Sequence, residues 1–263
     1  MYTSSATRSR GVHRKPFSSN RRLVVAATRV GRRKTPIYGL LDVDVTEARR
    51  RLAACDRSGS MTAFVVASVA RAAAAHPEVH AYRDWRGHLV THDHVDVSTM
   101  VEVPTTHGLF AVPHSLHDAD VRDVDDLTAE LRRVKADPPS SASARWADHP
   151  AAWAMRIPGS ARRLFEVMSR SVAVHQRIGT VGVTSVGMFA DGSGYGLTPL
   201  TLMSLEVVVG GIARLPRLVD GQVEARDILN LTVVVDHDVV DGAPATRFAA
   251  DLRRALETAG PLS

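Results

Sequence analysis

A histidine and an aspartate four residues apart directly follow an apolar segment near the carboxyl end of the chain. Leu231–Val235 is rich in β-branched residues and predicts a strand, so His237 lies just beyond the strand's end. A histidine on such a loop has a rigid support and is open to substrate, and imidazole titrates near neutrality, which suits a general base. Asp241 follows at the turn into the last helix, where it can orient the loop or pair with a cation. Spacing alone is more often typical of a structural pair than of a catalytic one.

The surrounding motif resembles a known family of acyltransferases. Asp236–Ala243 reads Asp-His-Asp-Val-Val-Asp-Gly-Ala, which resembles the catalytic domain of the 2-oxoacid dehydrogenase E2 acyltransferases. Its His-x-x-x-Asp-Gly part is similar to chloramphenicol acetyltransferase. Over about residues 20–260, further segments match family landmarks in the expected order: Leu41–Thr46, Thr106–Leu109, Gly179–Phe189, Leu197–Leu200 and Val209–Ile212.

The resemblance implies a role for each matching residue. His237 would deprotonate the attacking thiol or hydroxyl group. Thr184 stands where the family usually has a serine, and its hydroxyl would stabilise the tetrahedral oxyanion. Asp241 would position the histidine loop through an arginine, for which Arg22 is our candidate. Residues that bind coenzyme A are not indicated.

The resemblance also implies an architecture and a co-substrate. We expect a single-domain α/β fold of the coenzyme A-dependent acyltransferase type, with a mixed β-sheet and flanking helices. The family forms homotrimers with active sites at the subunit interfaces, and such trimers can build a larger cage. A coenzyme A thioester would be the co-substrate, and we expect no metal.

Three departures from the family bear on the acceptor. Asp238 follows the histidine where dehydrogenase-complex enzymes typically carry arginine, residues 137–178 are longer than the usual connection, and the 263 residues contain no lipoyl or subunit-binding domain. We therefore expect transfer of an acyl group, in particular acetyl, from coenzyme A to a hydroxyl of a small molecule, for example a tetronate in specialised metabolism. One alternative is transfer to dihydrolipoyl groups of a separate 2-oxoacid dehydrogenase component. Another is a catalytically inactive trimeric scaffold.

A cluster of histidines offers a competing interpretation as a metal site. Eight of the 12 histidines lie within 42 residues, from His76 to His117. His92 and His94 would share a strand face and could chelate. A metal site of this kind would need further ligands, but residue 97, where the next histidine would stand, is valine, and no later series of ligands follows. Histidines on solvated loops are therefore the simpler interpretation.

The rest of the chain predicts alternating helices and strands in one α/β domain. A helix at 21–30 precedes a strand at Leu40–Val45, and Thr46 is the expected N-cap of a helix that runs to Cys55. Hydrophobic spacing predicts further helices at Thr62–Ala75, Val124–Val134 with Asp123 as cap, Ala161–Val174 and Ala243–Ala259. It predicts strands at His88–Val90, Val95–Val103, Leu109–Val112, Gly179–Ser185, Leu205–Ile212 and Ile228–Val235, with a hairpin at Asp220-Gly221 and an irregular connection at 137–160.

Composition and charge exclude several classes of protein. Hydrophobic content of 44% and charged content of 23% are ordinary for a globular protein, and no apolar run reaches the ~20 residues of a membrane span. A single cysteine cannot form an internal disulfide, which favours a cytoplasmic location. The net charge is +5, but residues 1–41 alone carry +10, which leaves −5 for residues 42–263.

The charge is therefore a property of one end of the chain. Residues 1–20 read as a basic N-terminal arm, and 21–263 as the acyltransferase catalytic domain. A transit peptide or a nucleic-acid tail has similar composition. Because the family-like helix begins within the basic segment, we favour an arm that packs on a neighbouring subunit or meets coenzyme A phosphates, and we do not expect nucleic acid or membrane as partners.

Overall fold

The computed structural model describes residue 14 and residues 19–54, 60–105, 108–137, 160–186 and 192–262, without the side chains of 19–23, 103–105, 108–110 and 160–162. Within these ranges the helices are Ser19–Gly31 (α1), Thr46–Ala54 (α2), Met61–Ala75 (α3), Val124–Ala136 (α4), Ser160–Met168 (α5), Val172–Ile178 (α6) and Gly242–Glu257 (α7). The strands are Pro36–Asp44 (β1), Tyr82–Arg83 (β2), Leu89–Val90 (β3), Val97–Thr105 (β4), Gly108–Leu116 (β5), Val181–Ser185 (β6), Leu205–Val219 (β7) and Gln222–Asp236 (β8).

Six strands form one mixed sheet in the order β1-β8-β7-β6-β4-β5. The pairs β4–β6 and β6–β7 are parallel, and the other pairs are antiparallel. Strands β2 and β3 make a separate two-stranded ribbon. The expectation of a mixed sheet with flanking helices is thus confirmed.

Helices α3, α4 and α7 cover the core face of the sheet. Every residue of α3 from Ala63 to Ala70 is fully buried, because the stretch is apolar apart from Ser68, whose hydroxyl donates to the carbonyl of Phe64 over 2.8 Å. The predicted terminal helix is present as α7 and buries one stripe, since Phe248, Leu252 and Leu256 are all 0% exposed. Each such side chain contributes about 1.5–3 kcal/mol on burial.

The opposite face, which we call the second face, is covered in part by α5, α6 and the segment before β7. Here one hydrophobic cluster gathers around Met168, Leu202 and Met203. Helix α1 reaches this segment at Gly31, where an added Cβ would stand 1.6 Å from the carbonyl oxygen of Leu200. A glycine at the end of α1 therefore allows the helix to touch the backbone that leads into β7.

The predicted hairpin at Asp220-Gly221 is confirmed. Val219 pairs with Gln222, so the loop has only two residues. Asp220 and Gly221 have φ of 48° and 82°, which is the backbone conformation of a type I′ turn. The ribbon of β7 and β8 continues past the end of β1 to this turn.

The predicted helix over Ala161–Val174 is wrong, because the chain forms two helices there. At the break, Ser169 Oγ donates to the carbonyl of Glu166 over 3.0 Å, and Ser171 takes the extended N-cap position of α6. Serine side chains compete for helix acceptors in this way. Val172, which lies inside the predicted helix, is 40% exposed as the first residue of the second helix.

Several boundaries also differ from the sequence prediction. β1 begins at Pro36 and β5 extends to Leu116, because edge and ribbon strands with half-exposed residues carry little apolar signal. Thr46 is the first residue of α2 instead of its cap, and its N–H and hydroxyl both donate to Asp44. Asp123 holds the N-cap position of α4 without a side-chain hydrogen bond. Cys55 and most of the connection at 137–160 lie outside the described residues.

None of the described helices has the length and hydrophobicity that crossing a membrane requires.

Candidate active site

The loop that carries His237 is built from the end of β8 and the start of α7. Val239 and Val240 both donate their N–H to the carbonyl of Asp236 over 3.0 Å, which closes a tight turn. Val240 is 2% exposed in the core. The two valines of the motif therefore hold the loop, while His237 between strand and turn is left at the surface.

His237 is held by main-chain groups on two sides. Its N–H donates to the carbonyl of Thr35 over 2.7 Å, and its ring Nδ1 lies 2.9 Å from the carbonyl oxygen of Val240. A carbonyl only accepts, so the hydrogen-bond network assigns the proton to Nδ1. In the neutral ring this leaves the lone pair on Nε2. The side chain is 45% exposed, so that nitrogen can meet a substrate.

Asp241 lies at the N-cap of α7 and is open to solvent. Its side chain is 89% exposed, and its Oδ1 is 3.9 Å from Nδ1 of His237, too far for a hydrogen bond. It makes no side-chain cap bond to α7. Arg22 lies on α1, but its side chain is outside the described residues. The positioning role of Asp241 thus stays a prediction.

Thr184 lies on β6, on the second face of the sheet. Val181 and Val183 are buried in the core and Thr184 alternates with them. Thr184 pairs with Val208 on β7, which pairs with Thr232 on β8. The residue is half-buried, so its hydroxyl lies close to the surface of one chain.

Thr184 and His237 do not meet within one chain. Two strand spacings separate Thr184 from β8, which is about 10 Å. His237 lies five residues beyond Thr232 along β8, which is about 17 Å at the rise of an extended strand. The two side chains are therefore on the order of 20 Å apart.

Asn230 and Asp42, which the sequence analysis did not single out, hold the loop after β6. Asn230 is 3% exposed, and its Oδ1 accepts from Ser193 Oγ and from the N–H of Gly194, both over 2.7 Å. Its Nδ2 donates to Asp42 over 2.7 Å, and so does the hydroxyl of Tyr195. An asparagine inside the apolar run of β8 was the signal available in the sequence.

Two consecutive glycines let the same loop lie on β7. A Cβ on Gly210 would stand 2.3 Å from the carbonyl oxygen of Gly194, and one on Gly211 would stand 2.0 Å from that of Gly192. The register of β7 against β8 shifts at this point, between Val209 and Ile212. The glycines thus permit backbone-to-backbone contact at a bulge.

The structure disperses the histidine cluster. His92 lies 3.1 Å from the hydroxyl of Tyr82, whereas His94 faces Asp120 at 3.6 Å. The residues that the structure describes contain no group of three or more potential ligands that could hold a metal ion. The interpretation as solvated loop histidines is wrong for His80, which is 1% exposed and bonds Thr180.

Comparison with protein families gives one match, which covers most of the chain. The model of the 2-oxoacid dehydrogenases acyltransferase (catalytic domain) matches residues 10–138 and 173–262. Residues 139–172, inside the segment 137–178, are left unmatched by this model. No curated protein sequence matches the chain.

Solved structures share the fold at low sequence identity. The dihydrolipoamide acetyltransferase (E2p) of Azotobacter vinelandii aligns with a TM-score of 0.70 at 17% identity, over 96% of this chain and 94% of that one. A probable dihydrolipoamide acetyltransferase from Listeria monocytogenes 4b F2365 gives 0.67 at 18%, over 94% and 95%. A chloramphenicol acetyltransferase gives 0.50 at 16%, over 92% and 96%. Since the family model covers well over half of the chain, this protein belongs to the 2-oxoacid dehydrogenase acyltransferase catalytic-domain family and is an acyltransferase.

Proposed function

We propose that this acyltransferase moves an acyl group, in the simplest case acetyl, from a coenzyme A thioester to the hydroxyl of a small molecule, with His237 as general base. Nε2 takes the proton of the acceptor hydroxyl, and the oxygen attacks the thioester carbonyl. The C–S bond then breaks, and the coenzyme A sulfur takes the proton from Nε2. The observation that carries the proposal is the ring of His237, whose Nδ1 is satisfied by the carbonyl of Val240 while the side chain as a whole is 45% exposed.

Thr184 completes this chemistry from a second subunit. Its hydroxyl donates to the oxyanion of the tetrahedral intermediate, whose charge it stabilises. The separation of about 20 Å within one chain supports a site shared between two chains, because neither residue can reach the other's substrate alone. Exposed apolar side chains near the β1 edge, among them Tyr38, Leu40 and Leu197, offer a surface for such contact.

The relatives support the same assignment. The Azotobacter vinelandii structure was determined to study the roles of a serine, a histidine and an asparagine in that enzyme's catalytic mechanism, and the asparagine follows the histidine by four residues. Here Thr184, His237 and Asp241 stand in the same order and Asp241 has the same spacing. The resemblance to the family supports a homotrimer, and the size of the purified assembly tests whether trimers build a cage like the cubic core of a pyruvate dehydrogenase multienzyme complex.

The identity of the acceptor is the most specific part of the proposal. A small-molecule hydroxyl is supported by Asp238 beside the histidine and by residues 139–172, which the family model does not match. The names of the structural relatives favour the rival acceptor, a dihydrolipoyl thiol on a separate protein. Nothing in the described residues selects a tetronate over other hydroxyl compounds. A cytoplasmic location belongs to the proposal and is supported by the single cysteine.

Acyl transfer to a panel of acceptors tests the proposal. With acetyl-coenzyme A and small alcohols, including a tetronate, acceptor-dependent release of the coenzyme A thiol is followed with a chromogenic thiol reagent. Dihydrolipoamide and a dihydrolipoyl domain bring thiols of their own, so their acyl products are measured by mass spectrometry. Transfer to the thiols alone replaces the proposed acceptor with the rival one. Absence of transfer to every acceptor would leave an inactive trimeric scaffold.

Hybrid trimers test whether two chains share each site. His237→Ala and Thr184→Ala chains are co-expressed with different tags and purified as mixed trimers. If His237 and Thr184 come from adjacent chains, each purified mixed trimer keeps one of its three sites intact, so about one third of the parent activity returns. Chains carrying both changes, mixed with His237→Ala chains, are the control and regain nothing. If co-expression of the single variants also regains nothing, the site is not shared.

A further inference from the structure

A largely buried lysine links three segments of the chain beside the histidine loop. Lys34 lies between α1 and β1, and its Nζ is 2.6 Å from the carbonyl oxygen of Met203, 3.2 Å from that of Leu202 and 3.5 Å from Asp236 Oδ2. Two of the three N–H donors of an ammonium group are taken by these carbonyls, and the carboxylate of Asp236 lies at ion-pair distance. The side chains of Lys34 and Asp236 are 15% and 6% exposed.

The lysine lies near two carboxylates, Asp236 and Glu206, that favour its charged form. Burial lowers the pKa of Lys34, while Asp236 and Glu206 oppose that effect. Burial raises the pKa of Glu206, whose carboxylate accepts from the N–H and hydroxyl of Thr201 and from the hydroxyl of Thr198. An isolated buried charge is costly, so each charged group holds its partners in place.

Lys34 and the next residue together hold the two residues at the base of the catalytic loop. The side chain of Lys34 reaches Asp236, and the carbonyl of Thr35 accepts from the N–H of His237 over 2.7 Å. Asp236 in turn accepts from Asp238 N–H at its Oδ1 over 3.3 Å, and its carbonyl closes the turn with Val240. A displacement of Lys34 would therefore move Asp236 or Thr35, and each of these residues directly contacts or adjoins His237.

The chemistry of the site demands lysine rather than arginine. The chain has 33 lysines and arginines, of which only Lys15, Lys34 and Lys135 are lysines. A compact ammonium can serve two carbonyls and a carboxylate converging on one point, whereas a planar guanidinium spreads its donors over a wider fork. This explains a largely buried lysine at a position of a chain that mostly uses arginine.

We infer that Lys34 is a positioning residue for His237: its ammonium ties the end of β8 to the segment before β7 and so fixes the loop on which the base lies. The inference rests on the proposed function for its effect on catalysis. Its effect on the loop is independent of any activity. Lys34 contacts no substrate in this role.

The test replaces Lys34 by methionine, which keeps the aliphatic stem and removes the three donors. We expect kcat for acyl transfer to fall by about 10²-fold because a base displaced by about 1 Å loses that much, with KM for acetyl-coenzyme A within about threefold. Amide hydrogen exchange of 236–240 should speed up by at least about tenfold, since these amides report opening of the loop. Arg33→Met is the matched control: Arg33 is the neighbouring cation and pairs with Glu166 on α5, so both readouts should stay at the parent level.

Two further variants keep the inference testable if Lys34→Met does not fold. Lys34→Gln retains a neutral donor for the carbonyls, and Asp236→Asn retains the acceptor for Asp238 while removing the charge pair. Each should show the same two effects at smaller size. Unchanged exchange at 236–240 with kcat within about threefold of the parent, in any folded variant of Lys34, would overturn the inference. A parent protein without turnover refutes the proposed function instead, and the exchange data then decide on Lys34 alone.

Discussion

The ring nitrogen Nδ1 of His237 lies 2.9 Å from the carbonyl oxygen of Val240, a residue whose own side chain is 2% exposed in the core. The same valine thus anchors the loop through its side chain and orients the imidazole through its backbone. A catalytic base needs a fixed tautomer with its lone pair toward the substrate, and this contact supplies it without a charged partner.

Replacing His237 by alanine should lower kcat/KM for acyl transfer by about 10²–10⁴-fold, the usual contribution of a general base. The melting temperature should change little, because the side chain is 45% exposed and its one close bond is to a carbonyl. His94→Ala is the control, since that side chain is a 60% exposed histidine outside the loop. Near-normal turnover in His237→Ala would remove the histidine from the mechanism.

The local order of the histidine loop could be predicted from the sequence, because the loop is built from adjacent residues. An apolar strand, a histidine and two valines in succession allow few arrangements, and the structure has the predicted strand end and terminal helix. The hairpin at Asp220-Gly221 was predictable for the same reason, since positive φ at two consecutive positions favours these residue types.

Long-range contacts could not be predicted in this way. Lys34 meets Asp236, and Asn230 meets Asp42, only because β1 and β8 are neighbours in the sheet, which no local pattern reveals. The distance between Thr184 and His237 likewise depends on strand order and register. The break at Ser169 was not predicted for a different reason: the apolar spacing continues across two helices that share one buried cluster.

Thr184→Ala should slow acyl transfer by raising its activation barrier by about 2–4 kcal/mol, because it removes the hydrogen-bond donor to the oxyanion. Thr184→Ser keeps the hydroxyl and should retain most activity. Steady-state kinetics should show the loss in kcat rather than in KM, since the oxyanion exists only in the transition state and intermediate. Ser185→Ala, on the opposite face of β6, is the control. Equal activity of the alanine and serine variants at Thr184 would contradict its assigned role.

Gly211→Ala should destabilise the fold, because the new Cβ would stand 2.0 Å from the carbonyl oxygen of Gly192. Overpacking of this kind costs about 1–3 kcal/mol in the free energy of unfolding, measurable by denaturant titration. The loop after β6 must shift to relieve the contact, so kcat should fall as well. Gly194→Ala is the matched control in the same loop, since its Cβ would meet nothing within 4 Å. Equal midpoints for the two variants would refute the close contact between loop and strand.

The free energy of unfolding should fall as the pH decreases from 6.5 to 4, with His80 as one cause. Burial lowers the pKa of His80 from 6.5 to about 4, so in this window the unfolded chain binds a proton that the folded chain does not. Stability therefore increases with pH across the window, by about 3 kcal/mol from this residue, and the contribution is complete above pH 6.5. Denaturant titrations at several pH values measure it. His80→Asn cannot take up the proton and should flatten the dependence, whereas His88→Asn, at a 69% exposed side chain, should keep it. If His80→Asn and the parent lose stability equally as the pH falls, burial of His80 does not control its protonation.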